Sequence, residues 1–350
     1  MVIEYKNRVA SLRSLIKKES LDAFFVTNAV NVSYISPFKG HDSMILILES
    51  KKYFITDSRY IEDAKETMKG YEITLVKGST YETLKKIIGR NRLKRVGFES
   101  MDLPYEAFRR LKRAINGVKF IPFKNLIGPL RAVKDTTELG LIKRSIACTK
   151  DVLKRIMAVA KPGVSEREIV RKAEIYLIER GSRPSFEMIV ATTKNSFKPH
   201  ARPTDARVSK NDLIMVDIGC NIEGYNSDMT RMLVVGKINK ELRRIYAIVQ
   251  AAQERAIRLI RPGARMCDID LAARGYIRER GFGKYFGHSL GHGTGMEAHE
   301  LPNISPFSKY SLLPGMVFTV EPAIYIPKLG GVRIEDMVLV TQNGCEVLTR

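Results

Sequence analysis

The sequence predicts an α+β protein in two parts, a smaller α/β domain over residues 1–127 and a larger α+β domain over residues 128–350. Three observations carry that prediction. Strand-like and helical runs alternate through the first part, as in a sheet covered by helices. Residues 125–139, NLIGPLRAVKDTTEL, read as a boundary, with Gly128-Pro129 ahead of Asp135 and Thr136 as candidate helix caps. Beyond them, pairs of helices alternate with groups of strands.

In the first part, Val9, Leu12, Leu15 and Ile16 recur at helical spacing within residues 8–18. DAFFVT, MILILE and YFITD follow as strands, and ITLV and VGFE alternate with helices near 60–68, 79–90 and 104–115. In the second part a long helix is expected from about Thr137 to Ala160, stopped at Lys161-Pro162-Gly163. Ser165-Glu166-Arg167-Glu168 is a capping-box pattern that opens the next helix. Helices near 240–260 and 267–280 form a second pair, and MIVAT, LIMVDIG, TRMLVVG, MVFTVEPAIYI and DMVLVT read as strands. KPGVSEREI and RPGARMCDI each follow a long helix, which points to an internal pseudo-repeat.

Composition narrows the functional class. The chain is 44% hydrophobic and 28% charged, an ordinary globular balance. No apolar run is long enough to span a bilayer, and MVIEYKNRVASL lacks the apolar core of a secretory signal; a cytoplasmic protein is expected. The four cysteines fit neither a zinc-site spacing nor a disulfide framework and are read as reduced thiols. The net charge of +21 is spread through helices, with no basic tail and no nucleic-acid motif, so no nucleic-acid or membrane partner is expected.

Chemistry concentrates in the last 140 residues or so. Asp217 ends an apolar strand, Gly224-Tyr225-Asn226 marks a turn, and Asp228 opens the returning strand. A hairpin of that length can set both carboxylates on one face of neighbouring strands. Glu321 and Glu335 are expected on two more strands joined by a turn at Gly330-Gly331. Of the five histidines, His200, His288, His292 and His299 lie in or beside these motifs, and only His41 falls in the first part. Buried acids in such apolar settings would cost several kcal/mol each unless a cation compensates them. Four carboxylates and one imidazole suit Mn²⁺, Co²⁺, Fe²⁺ or Zn²⁺, and two such ions could hold a shared hydroxide.

The set VDIGC, YNSDMTR, HSLGHGTGMEAHELP and TVEPAIYIPKLGGVRIED resembles the proline-specific metallopeptidases of the pita-bread (creatinase/aminopeptidase-like) fold, the Xaa-Pro dipeptidases (prolidases) and aminopeptidase P. NVSYISPFKG, FITDSRY and VGFES resemble the creatinase-type N-terminal domain of that family. The resemblance implies two divalent ions per subunit, manganese or cobalt before zinc or iron. Asp217 would chelate one ion, Asp228 and Glu335 would bridge both, and His292 and Glu321 would hold the second. Glu321 would also accept a proton from the attacking water. His200 and His299 would bind the scissile carbonyl and the tetrahedral intermediate, His288 and Arg333 would line the substrate pocket, and Tyr225 would stand behind the ligands. A homodimer and small peptide substrates with proline at the second position are implied as well.

Two departures keep the substrate length open. Asn303 stands after HELP where several dipeptidases carry an arginine thought to clasp the free carboxylate of a short substrate. HARPT follows His200 where many prolidases have HG. Both an Xaa-Pro dipeptidase and an Xaa-Pro aminopeptidase acting on longer peptides therefore fit. A metal-free amidohydrolase of the creatinase type is disfavoured by retention of all five ligand positions. A metal-free binding or chaperone protein on the same fold is the reading of a different class, and metal content separates it from the enzyme.

Overall fold

The computed structural model describes residues 5–350, arranged as two compact units that divide between Arg131 and Ala132. The first unit is built on a six-stranded mixed sheet in the spatial order Glu72–Leu75, Lys52–Thr56, Met44–Leu48, Ala23–Val26, Arg95–Glu99, Lys119–Phe123. Its centre is the antiparallel pairing of Ala23–Val26 with Met44–Leu48, and Arg95–Glu99 adds in parallel on the other side. The four inner strands are buried along most of their length, as strands covered on both faces are, whereas the edge strands Glu72–Leu75 and Lys119–Phe123 are only partly buried. The helices Tyr5–Lys18, Ala29–Ile35, Ile61–Thr67, Thr80–Arg90 and Tyr105–Ala114 accompany them. The edge strand Lys119–Phe123 and the short helix Ala29–Ile35 carry no pattern strong enough to single them out in the sequence. Glu99 is buried in this unit, where it accepts from the Thr27 and Asn28 amides at 2.7 Å and from Asn31 Nδ2 at 2.6 Å.

The second unit repeats one arrangement twice. The long helix Thr136–Val159 is capped by Asp135 and Glu138 in a reciprocal capping box, and Glu166–Glu179 by Ser165 and Glu168 in another. The pair Lys240–Ile257 and Met266–Glu279 has the same form. The Gly163 amide donates to Val208 and the Gly263 amide to Leu312, while Glu166 donates to Ala206 and Met266 to Tyr310. Both connections need a left-handed glycine, Gly163 at φ 93° and Gly263 at φ 79°. The pseudo-repeat read from KPGVSEREI and RPGARMCDI is thus a repeated hydrogen-bond scheme.

The first helix pair is followed by a sheet of Met229–Val235, Asp212–Ile218 and Ile189–Ala191, with a small ribbon of Tyr225–Asn226, Cys220–Ile222 and Arg183–Pro184 beside it. The second pair leads to a sheet of Glu300–Ile304, Gly291–Gly293, Val317–Val320, Asp336–Val340 and Cys345–Val347, and to a two-stranded ribbon of Ala323–Ile326 and Gly330–Arg333. The start of this unit is fastened to its last third. Val133 bridges to Met316, the Lys134 amide donates to Gly315, and the buried Lys134 ammonium lies 2.7 Å from Glu300 Oε1. Among the described residues no helix is long and apolar enough to cross a membrane.

Three expectations are corrected. MVFTVEPAIYI is two strands rather than one, interrupted at Glu321-Pro322, and VRIED is interrupted at Ile334-Glu335. The turn between them does not lie at Gly330-Gly331. It closes ahead of that pair, where the Leu329 amide donates to Ile326 and Lys328 adopts φ 69°. The glycines belong to the returning strand because Gly331 passes close to backbone: a Cβ there would sit 2.1 Å from the Ser196 carbonyl oxygen. The turn between Asp217 and Asp228 likewise belongs to the small ribbon rather than to a simple two-strand hairpin.

Candidate active site

Asp217 lies near the end of Asp212–Ile218, with Thr230 opposite it on one side and Ile189 on the other. Asp228 sits one residue ahead of Met229–Val235. Its approach is made possible by Gly219, where a Cβ would fall 1.9 Å from the Ser227 carbonyl oxygen. Glu321 and Glu335 occupy the two interruptions just described. Val320 pairs with Asp336 before the break and Ala323 with Arg333 after it, in unchanged register, so the two glutamates stand opposite each other. Their amides leave the ladder and donate elsewhere, Glu321 to Leu290 and Glu335 to Thr230. The break therefore turns one rung of a hairpin into a facing pair of carboxylates. Asp336, next in sequence, is accounted for by Arg231 Nη2 at 2.7 Å and Thr349 Oγ1 at 2.7 Å.

These groups line one cavity of about 790 Å³ together with His200, His288, His292, His299 and Arg333. His292 Nδ1 faces the Gly293 carbonyl at 3.1 Å, so that nitrogen carries the hydrogen. Nε2 then turns its lone pair toward Glu321 Oε1 at 3.3 Å and Asp228 Oδ2 at 3.7 Å. Donor atoms of Asp228, His292 and Glu335 all lie within 4.8 Å of one another. A lone pair among carboxylates is repulsive unless a proton or a metal cation lies between them.

Burial explains the rest of the electrostatics. Asp228 is 4% exposed and Glu335 is 2% exposed. Burial first, and then the neighbouring carboxylates, push both groups well above the ordinary carboxylate range. Burial also raises Asp217, against the opposing pull of Arg333. Glu321 goes the other way: burial would raise it, but a proton on His292 Nε2, supplying the hydrogen bond and charge that the bare lone pair lacks, and the nearby positive groups hold it at about 2. Burial lowers the His292 imidazolium, yet the Glu321 carboxylate more than offsets this and the net shift is upward. Burial lowers His288 and His299.

Arg333 ties the cluster together. Its Nη2 donates to Asp217 Oδ2 at 2.6 Å, Nε to Thr230 Oγ1 at 3.0 Å, and Nη1 to Pro199 O at 3.1 Å and to the Tyr325 hydroxyl at 2.5 Å. Thr230 Oγ1 in turn donates to Glu335 Oε2 at 2.6 Å. The other Asp217 oxygen, Oδ1, is buried with no hydrogen-bond partner among the described residues. An orphaned carboxylate oxygen pointing into a cluster of raised carboxyls, beside an imidazole lone pair, is the donor set a divalent cation satisfies. The residues present fit a metal.

Among the residues singled out from sequence, nine line the cavity and one does not. Tyr225 is fully buried elsewhere, its hydroxyl donating to Glu138 Oε1 at 3.2 Å on the long helix. Thr230, Tyr325 and Arg202 were not anticipated. Thr230 was legible only as the strand partner of Asp217, and Tyr325 only through its alternation with the apolar residues of AIYI.

A family model described as metallopeptidase family M24 matches residues 140–342, and one described as the creatinase/prolidase N-terminal domain matches residues 8–133. The chain belongs to metallopeptidase family M24. It is 36% identical to the Xaa-Pro dipeptidase of Pyrococcus furiosus over 348 residues, covering 99% of this chain and 98% of that one. Among solved structures it is similar to the Xaa-Pro dipeptidase from Bacillus anthracis, with a TM-score of 0.95, 36% identity and coverage of 99% and 98%. It is also similar to the X-Pro aminopeptidase from Thermotoga maritima, with a TM-score of 0.88, 35% identity and coverage of 96% and 97%. The pita-bread fold and the metal-dependent hydrolase class expected from sequence are borne out, and membership of the family implies divalent metal ions.

Proposed function

We propose that the protein is an Xaa-Pro dipeptidase that hydrolyses the bond before proline with two divalent ions, manganese or cobalt by preference. The observation that carries the reading is the convergence of Asp217, Asp228, His292, Glu321 and Glu335 on one cavity, with Asp217 Oδ1 orphaned and two carboxyls raised. Asp217 would hold one ion, Asp228 and Glu335 both, and His292 and Glu321 the other. When bound, the ions would supply a Lewis acid for the scissile carbonyl and a nucleophile ionised at neutral pH.

The chain's own residues do the remaining work. Arg333 fixes the Asp217 carboxylate and, through Thr230, the Glu335 carboxylate, so neither rotates as the substrate arrives. Glu321, oriented by the Thr319 hydroxyl 3.0 Å from Oε1, accepts the proton of the attacking water. His200 and His299 are both exposed on the cavity wall and donate to the carbonyl oxygen as it gains charge. Burial favours the neutral form of His299, so it donates one N–H at neutral pH. His288, held by the Ser289 carbonyl at 2.8 Å, shapes the pocket wall. A proline nitrogen lacks an N–H, so recognition through backbone pairing loses a contact; a shaped pocket with a charged centre does not need it. A cytosolic homodimer is the assembly and location we assign, on the family resemblance.

The test is hydrolysis of Leu-Pro against Leu-Pro-Pro with Mn²⁺ or Co²⁺, and with chelator as control. Chelator-sensitive cleavage of Leu-Pro is the expected result. Cleavage of Leu-Pro-Pro alone would establish an Xaa-Pro aminopeptidase, and no cleavage of either would leave a non-proline substrate or a metal-free binding protein, which metal content separates.

A further inference from the structure

The cavity wall carries a guanidinium that the catalytic network does not use. Arg202 and His200 are both exposed and flank buried Ala201, so both side chains leave the protein core on the solvent side, and both line the cavity. Their segment is fixed in place, because the Thr204 amide and hydroxyl donate to the fully buried Glu166 carboxylate at 2.9 and 2.7 Å. Arg202 is therefore an exposed side chain on an anchored loop. Among the described residues it has no ion-pair, hydrogen-bond or ring partner, in contrast to Arg333, which spends its donors on Asp217, Thr230, Tyr325 and Pro199.

We infer that Arg202 receives the free carboxylate of the substrate and so selects dipeptides over longer or capped peptides. This rests on the Xaa-Pro reading above. A guanidinium is always charged and presents paired donors that match a carboxylate. The other exposed charge on the wall, Glu187, likewise has no ion-pair or hydrogen-bond partner among the described residues and repels a carboxylate. A zwitterionic dipeptide is thereby oriented with its carboxylate toward Arg202. Asn303, on the same wall, offers only a neutral amide. The position after HELP thus leaves anion recognition to the loop that follows His200.

The experiment compares kcat/KM for Leu-Pro and for its C-terminal amide in the metal-loaded wild type, in Arg202→Ala and in Arg202→Lys. The wild type should prefer the free acid. Arg202→Ala should lower kcat/KM for Leu-Pro by about 10- to 100-fold, the size of a charged hydrogen bond, while leaving the amide nearly unchanged. Arg202→Lys should keep part of the preference, because the charge survives and the fork does not. A wild type that cleaves both substrates equally, or an alanine variant that loses both equally, overturns the inference and leaves the Xaa-Pro reading standing. A wild type that cleaves neither overturns that reading, and the inference with it.

Discussion

The two halves of the catalytic unit share a scaffold and solve the same problem with different chemistry. In the first half, Glu166 is fully buried and has neutral partners only: the amides of Thr192 and Thr204, their hydroxyls, and Asn195 Nδ2. In the second half, Asp270 is fully buried and meets Arg274 Nε at 2.7 Å and Nη2 at 2.8 Å, with the Leu290 amide at 3.0 Å. Each carboxylate holds the segment that carries site histidines. Glu166 anchors the loop of His200, while Arg274 extends to the carbonyls of Phe286 and His288. The halves also divide the candidate ligands, Asp217 and Asp228 against His292, Glu321 and Glu335. A repeated backbone thus fixes where a loop must be tied down and leaves open which side chain ties it.

The largest expected effect breaks the division of ligands. Asp228→Asn removes a carboxylate assigned to both ions and should lower kcat/KM by more than about 1,000-fold, beyond the usual loss of one charge-stabilising donor. Circular dichroism should show the fold retained. Full activity in this variant would reject the assignment.

Acidity sharpens the same point. Carboxyls raised by burial must lose their protons before they hold a cation, so metal affinity should climb with pH, by about tenfold per unit for each proton displaced. The metal-free protein has the opposite slope. Its folded-state pKa values for Asp228 and Glu335 lie above the unfolded ones, so it loses stability as pH rises from the ordinary carboxylate range through the raised values. Calorimetric melting with chelator and with Mn²⁺ across pH checks both signs; parallel slopes would contradict the picture.

The buried carboxylates should separate next. Glu166→Ala strands several buried donors and should cost about 3–5 kcal/mol. Asp270→Ala should cost less, about 1–3 kcal/mol, because the Arg274 side chain is 23% exposed and keeps two carbonyl acceptors. Urea unfolding of the two variants measures the difference, and equal costs would erase the contrast. Arg333→Lys tests the link across the halves. It keeps the charge but cannot reach Asp217, Thr230, Tyr325 and Pro199 at once, so metal affinity or kcat/KM should fall by about 10- to 100-fold.

The smallest effect concerns the helix starts. Ser165 caps its helix, whereas Arg265 at the equivalent place makes no cap hydrogen bond. Ser165→Ala should cost about 1 kcal/mol and Arg265→Ser should add several tenths, read as shifts in the urea midpoint.

Much of this was legible because ligand chemistry needs particular residue types at particular places. Asp217, Asp228, His292, Glu321 and Glu335 stand out as polar residues in apolar or glycine-rich runs, and such runs are where an unexplained charge is conspicuous. The helix pairs were legible through Ser165-Glu168 and the Pro-Gly breakers. Ladder breaks at Glu321 and Glu335 were not, since a strand reads the same on both sides of a two-residue interruption in unchanged register. The Gly330-Gly331 pair misled for a related reason: glycine marks close backbone approach as well as turns. Tyr225, expected behind the ligands and not on the cavity wall, is fully buried in the small ribbon between the two aspartates, with its hydroxyl on Glu138. Glu166, Asp270 and Arg202 lie on ordinary amphipathic or loop sequence, and only the fold shows what surrounds them.

The fastening of Val133 and Lys134 to Gly315, Met316 and Glu300 has a consequence for how the chain is made on the ribosome. The unit ending at Arg131 contains all six strands of its sheet and can fold while synthesis continues. The unit that follows cannot close its first turn of chain until residues beyond 316 emerge. Its last strands wait longer still, for the Leu348 amide bonds back to Met337 and Thr349 to Asp336. The catalytic unit is therefore completed in one late step, once the chain through Thr349 has emerged.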